Sequence, residues 1–464
     1  MLHHHPLFSR PLIQVTLLGF VCLCCPGMWN ALAGLGAGGS MSSNIGLTDA
    51  ANSALYGCFA LVGFFAGSLT NTVGVKITLT IGSIGYALYA SAFWVYDRLQ
   101  IDGFVIASGA ILGCCAGIFW SAQGAIMMSY PEEHNKGKYV AIFWALFNLG
   151  GIAGSIIALV LNLENQTSGG VSTGTYTVFV IIMLIGVFLS LTLLPPSRVF
   201  RDDGTPVAMA HSPRWTTELK AVLVVWKEWR ILALIPAFLA SNWFYAYQFR
   251  VNAVYFNPST RALNDCMYWC LQIFGAILIG ALLDYREMTR RSRGLIGLGV
   301  LFVVLMAVWT GGFVFQLSFD NHYADPIHWT SLKFPGPFVL YMLYGFADSL
   351  YQTYIYWLMG AMSNDPALLA RYAGFYKAMQ SAGAAVSFGI DAADIPLRWE
   401  CLICWVLVFI SFPLVYPVVN TLSESNKKEQ QQKLQSNNME LPPSDGEDKT
   451  CEAFNYVDEN TFKN

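Results

Sequence analysis

Apolar runs long enough to cross a bilayer recur twelve times along the chain, six on each side of a polar stretch at 195–229. A run of about 20 apolar residues matches a hydrocarbon core of about 30 Å, a length that soluble helices seldom need. The pattern predicts helices over 11–33, 51–72, 76–96, 103–129, 138–161 and 175–194, then over 230–256, 264–283, 294–317, 337–362, 371–390 and 398–419. The chain thus divides into an amino-terminal segment 1–10, a six-helix half 11–194, a linker 195–229, a second six-helix half 230–419 and a tail 420–464. The tail begins with Lys427, Lys428 and a glutamine run and turns acidic near Ser444–Glu447, too polar to bury a core, so it is expected to be disordered. Six plus six is the layout of secondary transporters built from two related halves. The expected fold class is an all-α membrane protein of twelve transmembrane helices.

Composition supports this. Hydrophobic residues make up 55% and charged residues 12%, the latter about half of the ~25% usual in soluble domains. A net charge of −3 gives no basic surface for nucleic acid. Most of the eleven cysteines lie inside predicted spans; Cys401 and Cys404 have the spacing of a metal or redox pair but read as buried small hydrophobes. The His3–His5 run reads as a solvated tail, and all seven histidines fall outside the spans, which excludes an intramembrane histidine relay and predicts no bound metal.

Lysine and arginine gather on the cytoplasmic side of membrane proteins. With the amino end inside, the inner loops carry fifteen, among them Arg10, Lys76, Lys138, Arg201, Arg290 and Arg371, and the outer loops four: Arg98, Arg261, Lys333 and Arg398. The sequon Asn165-Gln166-Thr167 falls in a loop this topology places outside, making Asn165 a candidate glycosylation site. Both termini are therefore expected in the cytoplasm, the first span acting as a signal anchor, in a plasma, vacuolar or endosomal membrane.

Helices in lipid approach closely through small residues four apart. The fourth span reads Gly109, Gly113, Gly117, Ser121 and Ala125, the fifth Gly150 and Gly154, the second Gly63 and Gly67, and the eleventh Ala370, Gly374, Ala378 and Ala382. Pro26-Gly27 interrupts the first span at mid-membrane, which reads either as a simple kink or as backbone lining a cavity.

Between the second and third spans, Gly67-Ser68-Leu69-Thr70-Asn71-Thr72-Val73-Gly74-Val75-Lys76 resembles the signature G-x-L-x-D-[RK]-x-G-[RK]-[RK] of the major facilitator superfamily. The equivalent place in the second half reads Gly280-Ala281-Leu282-Leu283-Asp284, followed by Arg286, Arg290 and Arg291. The resemblance implies that these segments clasp the inner ends of neighbouring helices. The first copy departs by having Asn71 for the acid, Thr72 for the first cation and Val75 for the next, so Asp284 is the stronger clasp candidate. The stretches Gly27–Gly39, Ala54-Leu55-Tyr56-Gly57 and Trp120-Ser121-Ala122-Gln123-Gly124 further resemble the Unc-93-like family, in particular its fungal branch, a divergent arm of that superfamily. This likeness implies the major facilitator fold. It also implies either a transporter or, as described for animal members, a regulator of potassium channels or a trafficking partner of receptors; a plant member is linked to potassium balance. Fold alone does not choose between them.

Ionisable residues at membrane depth cost about 2.5–3.5 kcal/mol on insertion scales and so mark function or pairing. Three stand out: Asp348 in the tenth span, Lys377 in the eleventh and Arg250 in the outer third of the seventh. Tyr341, Tyr344, Asp348 and Gln352 form a polar stripe, and Gln380 shares a face with Lys377. Their depths differ by only about 5–8 Å at 1.5 Å rise per residue, which allows an ion pair between Asp348 and Lys377. The pair reads equally as a permanent brace and as part of a solute or proton pathway. Arg250 reads as an anion-attracting group or as a side chain reaching the outer headgroups. The first half offers only Asn30, Gln123 and Asn148, which place any ion coupling in the second half. No GxSxG, P-loop or HExxH appears, so neither an enzyme, a cofactor nor a nucleotide-driven pump is expected. Two functions remain: a carrier of a small solute or ion by alternating access, and a non-transporting membrane partner of a channel or receptor.

Overall fold

The structure, a computed structural model, describes residues 7–34, 45–132, 135–162, 173–201, 204, 207, 225–256, 258–285, 287–319 and 326–423. Asn165, the His3–His5 run, most of the linker and the tail beyond residue 423 lie outside them.

Twelve long helical elements form among the described residues. The first, α1, has three parts: Pro11–Cys22, a wide π turn Leu23–Gly27, and Met28–Gly34. The rest are α2 Ile45–Val73, α3 Val75–Leu99, α4 Asp102–Ser129, α5 Lys136–Asn162, α6 Thr173–Ser190, α7 Trp229–Tyr255, α8 Pro258–Leu283, α9 Arg290–Phe319, α10 Pro335–Met362, α11 Pro366–Ala392 and α12 Leu397–Asn420. Their ends follow local chemistry. Gly74 separates α2 from α3 at φ 91°, a left-handed conformation that glycine adopts without strain. Prolines open α1, α10 and α11, and the Asp365 side chain accepts the Ala367 N–H at 2.9 Å to cap α11.

Eight of these helices are long and apolar enough to cross a bilayer on length and composition alone. The shortfall from twelve has a physical pattern. The α6 stretch Gly174–Ser190 is apolar but short. The other three, α7, α10 and α11, carry Arg250, Asp348 and Lys377 with their polar neighbours. The helices least suited to lipid are those with the charged interior.

The packing repeats. In the first half α2 and α3 pack on α4, α3 on α6, and α1 on α5 and α6. Adding six to every number gives the contacts of the second half: α8 and α9 on α10, α9 on α12, and α7 on α11 and α12. The two largest seams between the halves, α2 with α11 and α5 with α8, exchange under the same shift, and α11 also packs on α4. Exposed Leu61, Phe188 and Val303 face outward, while Asn148, Gln272, Asp348 and Gln380 are buried, the inverse of a soluble protein's distribution.

The small-residue stripes sit at these contacts. A Cβ added to Gly109 would lie 2.7 Å from the carbonyl oxygen of Ala51, and one on Gly113 would run into that of Leu55, so α4 rides directly on the α2 backbone. On the α2–α11 seam a Cβ at Gly67 would lie 2.5 Å from the Ala370 carbonyl, and one at Gly63 3.0 Å from Ala378. Further along the same seam, the rings of Tyr56 and Phe388 stack at 5.5 Å. Cys401 and Cys404 are buried free thiols in α12.

Candidate functional site

At the centre of the bundle, helices of both halves enclose a cavity of about 70 Å³. Its wall includes Pro26, Trp29 and Asn30 of α1, Trp120 of α4, Trp144 of α5, Asn242 and Tyr245 of α7, Gln352 of α10, and Lys377 and Gln380 of α11. The π turn explains Pro26. Proline offers no N–H to the helix ladder, the widened turn absorbs the missing bond, and irregular backbone is tolerated at this depth where it borders a cavity. Of the two readings of Pro26-Gly27, the cavity-lining one holds.

Lys377 is buried, and its ammonium donates to Gln380 Oε1 at 2.7 Å. It also lies over three ring faces: Trp120 at 4.7 Å, Tyr376 at 5.0 Å and Tyr356 at 5.3 Å from the centroids. The negative ring faces partly replace the water that a buried ammonium loses. Trp120 is itself held by its indole N–H donating to the Tyr86 hydroxyl at 2.8 Å, and Tyr356 donates to Gln123 Oε1 at 3.1 Å. A second-half charge thus rests in part on a first-half side chain, Trp120.

Asp348 stands one side chain behind the wall. Its Oδ2 accepts from Tyr245 at 2.8 Å and Gln272 Nε2 at 2.7 Å, and its Oδ1 accepts from Gln352 Nε2 at 2.6 Å; the Tyr268 hydroxyl lies 3.3 Å from Oδ2 and donates at 2.9 Å to Gln248 Oε1. The direct ion pair with Lys377 is not formed. Two amides intervene: Gln380 Nε2 donates to Gln352 Oε1 at 3.0 Å, completing the chain Lys377–Gln380–Gln352–Asp348. Gln272 carries the network across the α5–α8 seam, its Oε1 accepting from Trp144 Nε1 at 3.1 Å.

The remaining expected residues divide. Asn30 lines the cavity, and Gln123 sits beneath it through Tyr356. Asn148 is buried off the wall and donates to the Trp144 carbonyl on its own helix at 2.9 Å. Tyr344 packs against α9, its ring tilted 42° to that of Trp309 with centroids 5.3 Å apart. Arg250 neither reaches for headgroups nor stands free to draw anions. It binds Asp391 at 2.5 Å and Asp394, with Glu400 at 3.8 Å, so one cation ties the ends of α11 and α12 to α7.

At the end of the bundle that carries the termini, Asp284 accepts the backbone N–H groups of Gly137 at 2.9 Å and Lys138 at 2.6 Å, across the α5–α8 seam. A Cβ on Gly280 would lie 3.0 Å from the Gly137 carbonyl. Arg290 donates to the Ala361 carbonyl at 3.2 Å, tying α9 to α10. In the first half Asn71 Nδ2 makes a long contact, 3.5 Å, with the Ala367 carbonyl, beside the close approach at Gly67; Lys76, next to the Gly74 turn, is half-buried.

The sequence reading missed several participants: Tyr245, Tyr268 and Gln272 around Asp348, Tyr356 and Tyr376 around Lys377, and the buried Asp265, whose Oδ2 accepts from Ser155 at 3.0 Å across the same seam. A usable signal existed on α8, where Asp265, Tyr268 and Gln272 recur at helical spacing in an apolar run.

Residues 39–416 match the family model described as "Ion channel regulatory protein UNC-93". The chain belongs to the UNC-93 family. UNC93-like protein 1 of Arabidopsis thaliana is 42% identical over 417 residues, covering 89% of this chain and 90% of its own length. An UNC93-like protein of Schizosaccharomyces pombe is 40% identical over 419 residues, covering 89% and 82%. The resemblance to fungal members therefore extends equally to plant ones. A crystal structure of the major facilitator superfamily transporter FucP in the outward conformation superposes with a TM-score of 0.59 at 14% identity, covering 89% of this chain and 99% of that one. With the six-plus-six packing, this makes the fold of this UNC-93 family member the major facilitator fold; identity that low speaks to fold alone.

Proposed function

We propose that this UNC-93 family protein is a carrier that moves a small solute or ion through the central cavity by alternating access. The supporting observation is that helices of both halves wall the cavity, and its charged residue, Lys377, rests on Trp120 of the opposite half. Rocking one half against the other would change what Lys377 touches, and a carrier needs such a change to bind and release cargo. On this reading Lys377, Gln380, Gln352 and Asn30 meet the solute, and Asp348 orients the amides. Gly67, Asn71, Gly74, Lys76, Gly280, Asp284 and Arg290 form the gating seams. The test is uptake by the purified protein in proteoliposomes over a panel of potassium, amino acids and organic anions, with and without a pH gradient. Folded protein that moves none of them counts against the reading.

The second reading is a non-transporting partner of a channel or receptor. It is favoured by the family's description as ion channel regulatory and by Asn71 in place of the signature acid. Lys377→Gln separates the two: it should abolish transport in a carrier and leave a partner's effect intact.

We assign the halves to 11–194 and 230–419, the linker 195–229 and tail 420–464 to the cytoplasm, and Asn165 to the opposite side as a glycosylation site. Cysteines placed at 168–173 should react with an impermeant reagent in intact cells, and those at 202–211 should not; the reverse pattern would invert the topology.

A further inference from the structure

The wall of the central cavity carries one sign of charge. Among the described residues lining it, Lys377 is the only one with a formal charge. An ammonium has three donors, and here one of them meets an oxygen, Gln380 Oε1. Its other near neighbours are the ring faces of Trp120, Tyr356 and Tyr376, which attract a cation but give no strong directed acceptor. Two N–H bonds therefore have no oxygen acceptor among the described residues.

The buried carboxylate of Asp348 does not itself line the cavity. Asp348 lies behind Tyr245 and Gln352, and Tyr245, Gln272 and Gln352 already donate to its oxygens. A cationic solute entering the cavity would meet a like charge and amide groups. A monovalent anion would meet an ammonium with donors to spare, in surroundings where charges are weakly screened.

Size narrows the class. An engineered apolar cavity of about 150 Å³ binds benzene, so a space of about 70 Å³ favours a small solute. Away from Lys377 the wall is largely apolar, with Trp29, Phe59 and Phe147 prominent. Building on the carrier reading of this cavity, we infer that its cargo is a small monovalent oxyanion with an apolar body, a short-chain monocarboxylate. The carboxylate binds Lys377 Nζ, and the carbon chain lies against Trp29, Phe59 and Phe147.

Calorimetric titration of the full-length protein in detergent tests the site separately from transport. Acetate, propionate and butyrate are compared with nitrate, an inorganic oxyanion, and with potassium and tetramethylammonium at matched ionic strength. Saturable binding of the carboxylates is expected, tighter for propionate and butyrate than for nitrate, with no binding of either cation. Lys377→Gln should weaken carboxylate binding about 10- to 100-fold, and Lys377→Arg should largely retain it. Should Lys377→Gln fail to fold, Asn242→Asp adds a negative charge to the wall while keeping the lysine, and should weaken binding at least about tenfold. Unchanged binding in folded Lys377→Gln or Asn242→Asp overturns the proposal, as does nitrate binding as tightly as propionate. Binding and uptake of a cation in place of carboxylates overturn the cargo class and leave the carrier reading standing. Carboxylate binding without uptake into proteoliposomes supports the anion site and overturns the carrier reading. Absence of any binding by the folded wild type overturns the cargo assignment.

Discussion

The Asp284 carboxylate caps Gly137 from the other half of the molecule: its Oδ1 accepts the Gly137 N–H at 2.9 Å and its Oδ2 the Lys138 N–H at 2.6 Å, at the start of α5. A residue at the end of α8 thus satisfies unpaired amides of a first-half helix and places a negative charge at the positive end of its dipole. The signature acid acts as a helix cap across the seam.

Removing that cap should loosen one end of the bundle. Asp284→Ala is expected to cost about 1–2 kcal/mol, the range for a lost cap plus charge–dipole attraction. Asp284→Asn, which keeps one acceptor, should cost less. Spin labels on the first turn of α5 and the last turn of α8 should report a longer, broader distance distribution in Asp284→Ala. An unchanged distribution and melting temperature would show that the cap is incidental.

Glycine position predicts opposite outcomes for the same substitution. Gly113→Ala drives a methyl into the Leu55 carbonyl and should lower stability by about 1–3 kcal/mol. Gly57→Ala meets nothing within 4 Å on α2 and should be neutral or gain about 0.4–1 kcal/mol from reduced backbone freedom. Thermal unfolding in one detergent compares them; equal melting temperatures would remove the packing argument for the α4 stripe.

The fold was legible because bilayer thickness and lipid apolarity leave few ways to satisfy a backbone, and apolar runs with small stripes record the result. Asp348, Gln352, Lys377 and Gln380 were legible for the same reason, since each is costly in lipid. Their connectivity was not. Depth along a helix follows from residue count, but rotation about its axis and sideways distance do not, so a pair at similar depth became a chain through two amides. Arg250 shows the other limit. Asp391 lies 141 residues further along the chain, and no local pattern near Arg250 signals it. Tyr245 and Tyr268 were hidden because tyrosine is ordinary in membrane helices until a carboxylate is found beside its hydroxyl.

The Arg250 cluster should respond in proportion to burial. Arg250→Met leaves Asp391, with 9% of its side chain exposed, without the guanidinium that binds it, and removes a cation 3.8 Å from the buried Glu400. Stranding buried charge costs about 3–5 kcal/mol, so this variant should express poorly or melt early. Asp394, 86% exposed, is solvated on its own, and Asp394→Asn should change stability by less than about 1 kcal/mol. Asp391→Asn should fall between. If Asp394→Asn proved as damaging as Arg250→Met, the cluster would have to be organised differently.

A double-mutant cycle at Asp348 and Lys377 tests the amide chain. Asp348→Asn places an amide among three donors oriented toward a carboxylate, leaving at least one without an acceptor, at about 1–3 kcal/mol. Lys377→Met removes one donor from Gln380 and the cation from the ring faces, while the methionine stem keeps contact with Trp120 and Tyr356. A direct buried pair would strand about 3–5 kcal/mol in each single variant and be largely rescued in the double. Coupling through Gln352 and Gln380 should instead be nearer 1 kcal/mol. It should fall further when Gln352→Leu interrupts the chain in the same background, since among the described residues no other hydrogen-bond chain joins the two groups. Coupling of 3 kcal/mol or more that survived Gln352→Leu would mean that Asp348 and Lys377 meet directly in the state being measured.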